Sequence, residues 1–442
     1  MMAEPFSTGT TVACLLVALL LGLCLGGAFL CARRKRLIDD TPTLTTRGVF
    51  IGLVELKGTA ESEAPLHGWL SGQPCVWYAW SVEEHWERTV TETYTDSAGR
   101  SRTRTRTESG WKTVDSGGES QPFYLRDADG EILIRPDGAE IQPETTLLED
   151  CGPEHPLYYG KGPAHAVADS TDRRRFKERA IPLHSNLYVF GYAREREDVV
   201  APEIAQHRDA PLFLISTHTE QEVRLGYAAC SVVLLLVGLT LLLGTLYFAR
   251  GGRDEWRDWP TYAAFTAGYT GAVALVWAWM VYNSLVELRQ RVGQAWSLIE
   301  VQLRRRADLI PNLVAAVKGY SMHEQAVQEA VALLRAQIAA TPPGAPGDDP
   351  RGLAPVLAAV VERYPDLKAD TSFLNLQHQL ADTEERIALA RGYFNDIATF
   401  YNRRLDLVPD ILIARLFGFR RRPLMEAAGF ERAPVAVTLA DA

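Results

Sequence analysis

Three long apolar stretches without a charged residue divide this chain of 442 residues. They cover residues 11–31, 225–249 and 261–282. Each is long enough to cross a bilayer, which takes about 20 residues at a rise of about 1.5 Å per residue. The sequence therefore predicts three transmembrane helices. Two polar regions remain, residues 33–224 and 283–442, and both are expected to work beside a membrane.

The polar region after the first stretch alternates apolar and polar residues with the period of two that indicates β-strands. Val76, Tyr78, Trp80 and Val82 fall on one face of a strand, and Trp77 falls on the other. The Asp-Gly step in the sequence RDADG favours a tight hairpin turn. We expect a β-rich domain over residues 46–220, with strands at 49–56, 74–86, 123–125, 132–134, 187–192 and 212–216.

A low-complexity stretch at residues 93–111 alternates arginine and threonine. Two interpretations are open for it. The arginines contact anionic lipid or an acidic partner, or the stretch is a solvated hairpin whose polar side chains follow the strand period.

Beyond the third apolar stretch the period becomes helical. Apolar positions from Leu285 to Leu303 step by three or four residues, so the membrane helix is expected to continue unbroken to Ile310. Pro311 is expected to kink or locally break this helix. Together with further helices at 353–364, 372–407 and 412–419, this pattern predicts an antiparallel helical bundle over residues 283–425, followed by a tail at 426–442. The expected fold class is a multi-domain α+β membrane protein.

Positive charge follows the first apolar stretch, in the sequence RRKR at residues 33–36. The positive-inside rule makes this end cytoplasmic, with the N-terminus outside and both polar regions in the cytoplasm. The arginines of the turn at 250–260 oppose this topology. A cleaved signal peptide is the alternative for residues 11–31, although residues 1–10 contain no lysine or arginine. The preference for arginine over lysine is typical of a GC-rich bacterial genome, so we expect a bacterial inner membrane.

Composition excludes several classes of function. The net charge of −9 argues against nucleic acid as a partner. The six cysteines show neither C-x-x-C spacing nor a cluster with histidine, so free thiols are expected. His323-Glu324 is followed by Val327 where the second histidine of a metalloprotease helix would stand. We therefore predict no catalytic residue, no cofactor and no metal ligand.

Four segments of the β-rich region resemble the GIDE domain, also called the BAM or "beside a membrane" domain. They are LSGQPCVWYAWSVEE (70–84), QPFYLRDADGEILIRPDGAEI (121–141), RRFKERAIPLHSNLYVFGYA (174–193) and APLFLIST (210–217). This domain lies between two membrane spans in mitochondrial membrane-anchored E3 ubiquitin or SUMO ligases, whose chemistry belongs to a separate zinc-binding RING. The sequence has no such Cys and His cluster. The resemblance therefore implies a recognition domain beside a membrane, without ligase activity.

Three segments of the helical region resemble the LemA family. They are YNSLVELRQRVGQAWSLIEVQLRRRADLIPNLVAAVKGYSMHE (282–324), ERYPDLKADTSFLNLQHQLADTEERIALARGYFND (362–396) and IATFYNRRLDLVPDILIARLFGF (397–419). Members have one membrane span followed by a cytoplasmic helical bundle, and the third apolar stretch takes the place of that span. This resemblance implies an architecture and a membrane role, but it names no reaction.

Two sets of residues are candidates for contacts. Trp296, Leu298 and Val301 fall off the apolar stripe and are expected to form an interface between copies of the chain, with ordinary core packing as the alternative for Trp296. The membrane surface is the expected location of Arg33, Arg34, Lys35, Arg36, Arg420, Arg421 and Arg422. For the apolar residues Leu412, Leu416 and Phe419, which precede the last three arginines, capping of the bundle core is the alternative.

These features favour a non-catalytic, membrane-anchored scaffold or adaptor that self-associates. Its expected partners are the lipid bilayer, further copies of the chain and another envelope protein. Two alternatives stay open: a component of a ubiquitin-like conjugation pathway, and an accessory subunit of a membrane protease.

Overall fold

A computed structural model describes residues 8–95, 101–165, 167–196, 201–208, 210–249, 259–320 and 371–425. It is a mixed α and β structure with a β-rich region and three long apolar helices, as the sequence predicts. The chain forms two compact units, one over Thr43–Cys230 and one that combines Met1–Pro42 with Ser231–Ala442.

The elements are named here in chain order. The helices are α1 (Thr8–Asp39), α2 (Pro156–Gly160), α3 (Glu220–Ala249), α4 (Trp259–Tyr320), α5 (Thr371–Asp406) and α6 (Asp410–Leu416). The strands are β1 (Thr43–Leu44), β2 (Gly52–Glu61), β3 (Leu66–His67), β4 (Pro74–Thr95), β5 (Ser101–Ser120), β6 (Phe123–Arg126), β7 (Glu131–Ile134), β8 (Glu140–Gln142), β9 (Glu144–Cys151), β10 (Ser170–Pro182), β11 (Asn186–Glu195), β12 (Pro202–Ala205) and β13 (Leu214–Ser216).

Five strands of the β-rich unit close into a small barrel. β2 pairs with β6, β6 with β7, β7 with β12, β12 with β11, and β11 returns to β2. Apolar side chains fill the interior, among them Leu56, Phe123, Ile134, Val189 and Ile204. Closure removes the open edges that a flat sheet of this size would expose.

A second sheet has the order β3-β4-β10-β9, and β5 adds to it through β4. The pairing of β4 with β10 extends to Trp86, opposite Ser170. Beyond that point β4 pairs only with β5, over 87–95 and 101–109. Nine residues of strand make this two-stranded arm about 30 Å long.

Each predicted strand is recovered, several with shifted ends: the strand predicted at 74–86 extends to Thr95, and the one predicted at 212–216 begins at Leu214. The hairpin across RDADG is confirmed, since Phe123 pairs with Ile134 and Arg126 with Glu131. The strand predicted at 49–56 begins instead at Gly52, because a 3₁₀ helix at Thr46–Gly48 comes first, and it then continues to Glu61. Gly52 has a φ of 138°, which residues with a side chain rarely adopt.

Among the described residues, three helices are long and apolar enough to cross a membrane: Leu15–Asp39, Glu220–Phe248 and Trp259–Arg306. Large apolar side chains along them, such as Leu19, Leu236 and Leu275, are exposed in the isolated chain. A surface of this kind is typical of helices that face lipid.

The prediction of one unbroken helix from the third apolar stretch to Ile310 is confirmed. Helix α4 has 62 residues, so it is about 93 Å long. It passes through Pro311 and continues to Tyr320, so the proline does not end it. The helix predicted at 353–364 and residues 321–370 as a whole lie outside the described ranges.

Helix α5 packs along the part of α4 that follows the third apolar stretch, in the opposite direction. Trp296 contacts Phe394, and ten residues further along α4 Arg306 pairs with Glu384, ten residues earlier on α5. The predicted stripe runs from Leu285 to Leu303. Its residues up to Ile299 are buried, as are Ile387, Phe394 and Tyr401 of α5, whereas Leu303 is half-buried.

Candidate functional site

A cluster of ion pairs joins the end of α1 to three later helices, all within the helical unit. It comprises three arginines, three aspartates and one serine: Arg36, Asp39, Asp40, Ser284, Arg291, Arg404 and Asp410. We call this group the Asp40 cluster. Arg404 lies at its centre, where its guanidinium is 2.6 Å from Asp40, 3.6 Å from Asp410 and 3.7 Å from Asp39.

The remaining contacts bring in α4 and α6. Arg291 on α4 donates to the Asp40 carbonyl over 3.1 Å and to the Thr41 hydroxyl over 3.0 Å. Ser284, also on α4, donates to the Asp40 carboxylate over 3.0 Å. Arg36 donates to both carboxylate oxygens of Asp410, the first residue of α6, over 2.5 and 2.6 Å.

The cluster is buried, which makes its pairing obligatory. Asp40 is 4% exposed and Asp410 is 2% exposed. Burial raises the pKa of Asp40, while Arg404 and the hydrogen bond from Ser284 act in the opposite direction. Removal of one member of a buried ion pair costs about 3–5 kcal/mol, because the other charge stays buried without a partner. The cluster therefore connects α4, α5 and α6 to the end of α1.

The RRKR run lies on the last turns of α1, and its members have different roles. Arg33 is exposed. Lys35 pairs with Asp39 over 2.5 Å, one turn further along the helix. Arg36 belongs to the Asp40 cluster, and Arg34 is half-buried. Of the four residues predicted to lie at the membrane surface, Arg36 is thus committed to a contact within the chain.

The three residues predicted to form an interface do not share one face of α4. Trp296 is half-buried against Phe394 on α5, with ring centroids 5.7 Å apart. At about 100° per residue, Leu298 falls on the other edge of the buried stripe. Val301 lies near Leu298 and is 58% exposed. Leu298 and Val301 can therefore act together, apart from Trp296.

The predicted surface group at the end of α6 is also divided. Arg420 is exposed, Arg421 pairs with Asp406 over 2.7 Å, and the backbone amide of Arg422 donates to Asn402 over 2.9 Å. Leu412 and Leu416 are 64% and 75% exposed, so they do not cap the core of the unit.

A buried carboxyl group lies beside the barrel of the β-rich unit. Glu55 on β2 is 1% exposed and accepts hydrogen bonds from Thr43 over 2.6 Å and from Tyr188 over 3.0 Å. Lys57 lies 3.9 Å away, but it also pairs with Glu220 over 2.8 Å. Burial raises the pKa of Glu55 to about 7. Sequence analysis gave no signal for this group, because an acidic residue on a strand is normally assigned to the solvent face.

Two neighbouring polar residues on β4, Glu84 and His85, serve different contacts. Glu84 is buried and pairs with Arg174, which also donates to the carbonyls of Tyr158 and Pro163 over 2.7 and 2.9 Å. His85 contacts the hydroxyl of Thr171 over 2.9 Å and the ring of Trp111. The arrangement holds the loop after α2 onto the sheet.

The arginine and threonine stretch forms a hairpin with two unlike faces. Threonines pair across the strands on one face: Thr89 with Thr107, Thr91 with Thr105 and Thr93 with Thr103. The other face carries charge, including the pair of Arg88 and Glu108 at 2.8 Å. The hairpin interpretation is confirmed, and a contact of its arginines with an anionic partner stays a prediction.

Metal and thiol chemistry find no support in the described part of the chain. No group of three or more potential metal-ligating side chains occurs within these residues. Within the same ranges Cys24, Cys31, Cys75, Cys151 and Cys230 form no disulfide. Residues His323, Glu324 and Val327 lie outside the described ranges.

Two protein-family models match the chain. The LemA family model matches residues 295–439, and the GIDE model, described as E3 Ubiquitin ligase, matches residues 91–248. Both resemblances stated from the sequence are confirmed.

Curated proteins match parts of the chain at low sequence identity. Magnetosome protein MamQ of Magnetospirillum gryphiswaldense is 26% identical over 172 residues, which cover 32% of this chain and 63% of that protein. Magnetosome protein MamQ 2 of Paramagnetospirillum magneticum is 24% identical over 211 residues, which cover 41% of this chain and 78% of that protein. The alignment thus spans less than two thirds of the first relative. The chain joins a region that matches the GIDE model to a region that matches the LemA family model, and it carries three helices able to cross a membrane.

Proposed function

We propose that this chain is a non-catalytic scaffold of a bacterial inner membrane, in which the LemA-like region forms an antiparallel helical bundle held rigidly on the membrane helices. The observation that carries the proposal is the Asp40 cluster. A flexible tether needs no buried ion pairs at the end of α1, where the chain leaves the membrane. A scaffold, in contrast, must hold its helices in a fixed direction.

The same cluster supports a cytoplasmic location for the helical region. It brings the end of α1 beside the part of α4 that follows the third apolar stretch, so both lie on one side of the membrane. The RRKR run assigns that side to the cytoplasm by the positive-inside rule. The N-terminus then lies outside.

Self-association is the second part of the proposal. Val301 and Leu298 form an apolar edge on a helix surface that is otherwise polar, with Gln294, Ser297 and Arg304 exposed nearby. Contact with a second copy would extend this edge into a contiguous apolar patch with a polar rim, the arrangement that marks protein contact sites.

Photo-crosslinking in native membranes tests the scaffold. A photoreactive residue at position 301 is expected to give dimers and higher oligomers of the full chain, while the same residue at exposed position 289 gives none. Stoichiometric capture of a membrane protease at position 301 would favour the accessory-subunit alternative. Monomers at both positions would contradict self-association.

The GIDE match supports a second candidate, a role in protein conjugation, because that model is described as E3 Ubiquitin ligase. The test is incubation of the full chain with a ubiquitin-like protein, its E1 and its E2. Transfer that depends on the chain would establish this candidate and overturn the non-catalytic proposal.

A further inference from the structure

A cleft of about 730 Å³ lies between α1 and α4, at the level where both helices change from apolar to charged residues. Its apolar end is lined by Gly26, Phe29, Leu30, Val276, Trp279 and Met280. Leu30 and Trp279 are 61% and 68% exposed, so this end is open to the surroundings of the helices.

The other end of the cleft is charged, and two of its charges have no ion pair among the described residues. Arg33 and Glu287 both line it, and neither has a salt bridge or side-chain hydrogen bond there. Arg36 lines it as well, and its Nη1 atom is buried without a hydrogen-bond partner. The guanidinium of Arg33, the carboxylate of Glu287 and the unpaired Nη1 atom of Arg36 thus belong to the charged end of the same cleft.

The distances along the helices fit a lipid. From Gly26 to Arg33 α1 rises about 10 Å, and from Val276 to Glu287 α4 rises about 16 Å. A lipid has an acyl chain for the apolar end of the cleft and a polar headgroup for its charged end. An anionic headgroup would satisfy Arg33 but leave Glu287 facing a negative charge, whereas a zwitterionic headgroup satisfies both.

We propose that this cleft binds one phosphatidylethanolamine molecule, with its phosphate on Arg33 and Arg36, its ammonium on Glu287 and an acyl chain along Leu30 and Trp279. The ammonium matters because it donates hydrogen bonds to a carboxylate, which a choline headgroup cannot do. The inference requires only that α1 and α4 cross the membrane, so it stands or falls independently of scaffolding.

The test uses the full chain, delipidated in detergent and titrated with dioleoyl lipids while lipid adducts are counted by native mass spectrometry. We expect phosphatidylethanolamine to bind about tenfold more tightly than phosphatidylglycerol or phosphatidylcholine, the effect of about one charge-assisted hydrogen bond. Glu287→Gln is expected to abolish that preference, and Arg33→Gln to weaken binding of all three lipids.

A steric pair of variants tests the location. A Cβ atom at Gly26 or at Gly22 meets nothing within 4 Å, so both positions accept a side chain. Gly26→Leu fills the cleft and is expected to remove the preferred lipid, whereas Gly22→Leu, one turn away and outside the lining, leaves it bound. Equal binding of the three lipids by the unaltered chain, or retention of the preferred lipid in Gly26→Leu, would overturn the proposal.

Discussion

The guanidinium of Arg404 lies 2.6 Å from the carboxylate of Asp40, 364 positions earlier in the chain. One residue directly follows the first membrane helix, and the other lies near the end of α5. The whole β-rich unit lies between these two residues in the sequence. This ion pair thus joins α5 to the residue that directly follows α1.

Loss of the Arg404 side chain should weaken the attachment of α5 and α6 to the end of α1. In Arg404→Met the Asp40 carboxylate stays buried without its main partner, at a cost of about 3–5 kcal/mol. We expect faster amide hydrogen exchange over 395–416 in nanodiscs. Arg403→Met is the matched control, because Arg403 is the adjacent exposed arginine. Adding Asp40→Asn to Arg404→Met should restore part of the protection, and equal exchange in the two single variants would refute this role.

The stability of the β-rich unit should depend on pH through the protonation of Glu55. Its pKa rises from an ordinary 4.5 to about 7 on folding, so the folded state binds a proton more tightly than the unfolded state. The resulting stabilisation is complete below about pH 4.5 and is lost as the pH rises through 7. The full difference is about 3 kcal/mol.

Hydrogen exchange of β2 and β11, corrected for the intrinsic pH dependence of exchange, measures this effect in the full chain. Protection should fall in the unaltered protein between pH 5 and pH 8, which lie about 2 units below and about 1 unit above the folded pKa of about 7. Glu55→Gln resembles the protonated form and should flatten the dependence. Glu63→Gln changes an exposed carboxylate of the same unit and serves as the control. An unchanged slope in Glu55→Gln would rule out Glu55 as its source.

Periodicity predicted most of the fold because it reports burial along a single element. The stripe that begins at Leu285 and the hairpin across RDADG are local patterns, and both were found, the stripe buried as far as Ile299. The Asp40 cluster has no local pattern, since its charges come from four helices and meet only after folding. Arg36 illustrates the difference: in the sequence it is one of four like charges, and in the structure it pairs with Asp410.

The candidate interface shows a second limit. An apolar residue off the stripe is either a contact to another copy or the edge of the intrachain core, and sequence spacing does not distinguish them. Trp296 meets Phe394 within the chain, whereas Val301 is exposed. The position of α5 decides which of these residues of α4 is covered within the chain, and α5 lies about 100 residues away in the sequence.

Trp296 and Val301 should therefore respond differently to substitution. Trp296→Ala removes the packing against Phe394 and should destabilise the contact of α4 with α5 by about 2 kcal/mol, seen as faster exchange in both helices. Val301→Arg should leave exchange unchanged but give a smaller particle on sizing in detergent. A change of particle size in Trp296→Ala alone, with its helices fully protected, would instead place the interface at Trp296.

The topology is best tested away from the native thiols of the β-rich unit. Cys75 is fully buried, and burial raises its pKa to about 11, so little reactive thiolate is present near pH 7. Cys151 is also buried. Neither thiol should react readily with a maleimide until the protein unfolds, whichever side of the membrane it faces.

An exposed cysteine at the tip of the hairpin arm avoids this ambiguity. Ser101 is exposed where β5 begins, so Ser101→Cys presents a solvated thiol without disturbing a core. If both soluble regions are cytoplasmic, a membrane-impermeant maleimide should label this variant only after spheroplasts are permeabilised. The unaltered chain supplies the background from Cys14, Cys24, Cys31 and Cys230. Labelling after denaturation confirms that Cys75 and Cys151 were protected by folding. Strong labelling of Ser101→Cys in intact spheroplasts would place the β-rich unit outside and reverse the proposed topology.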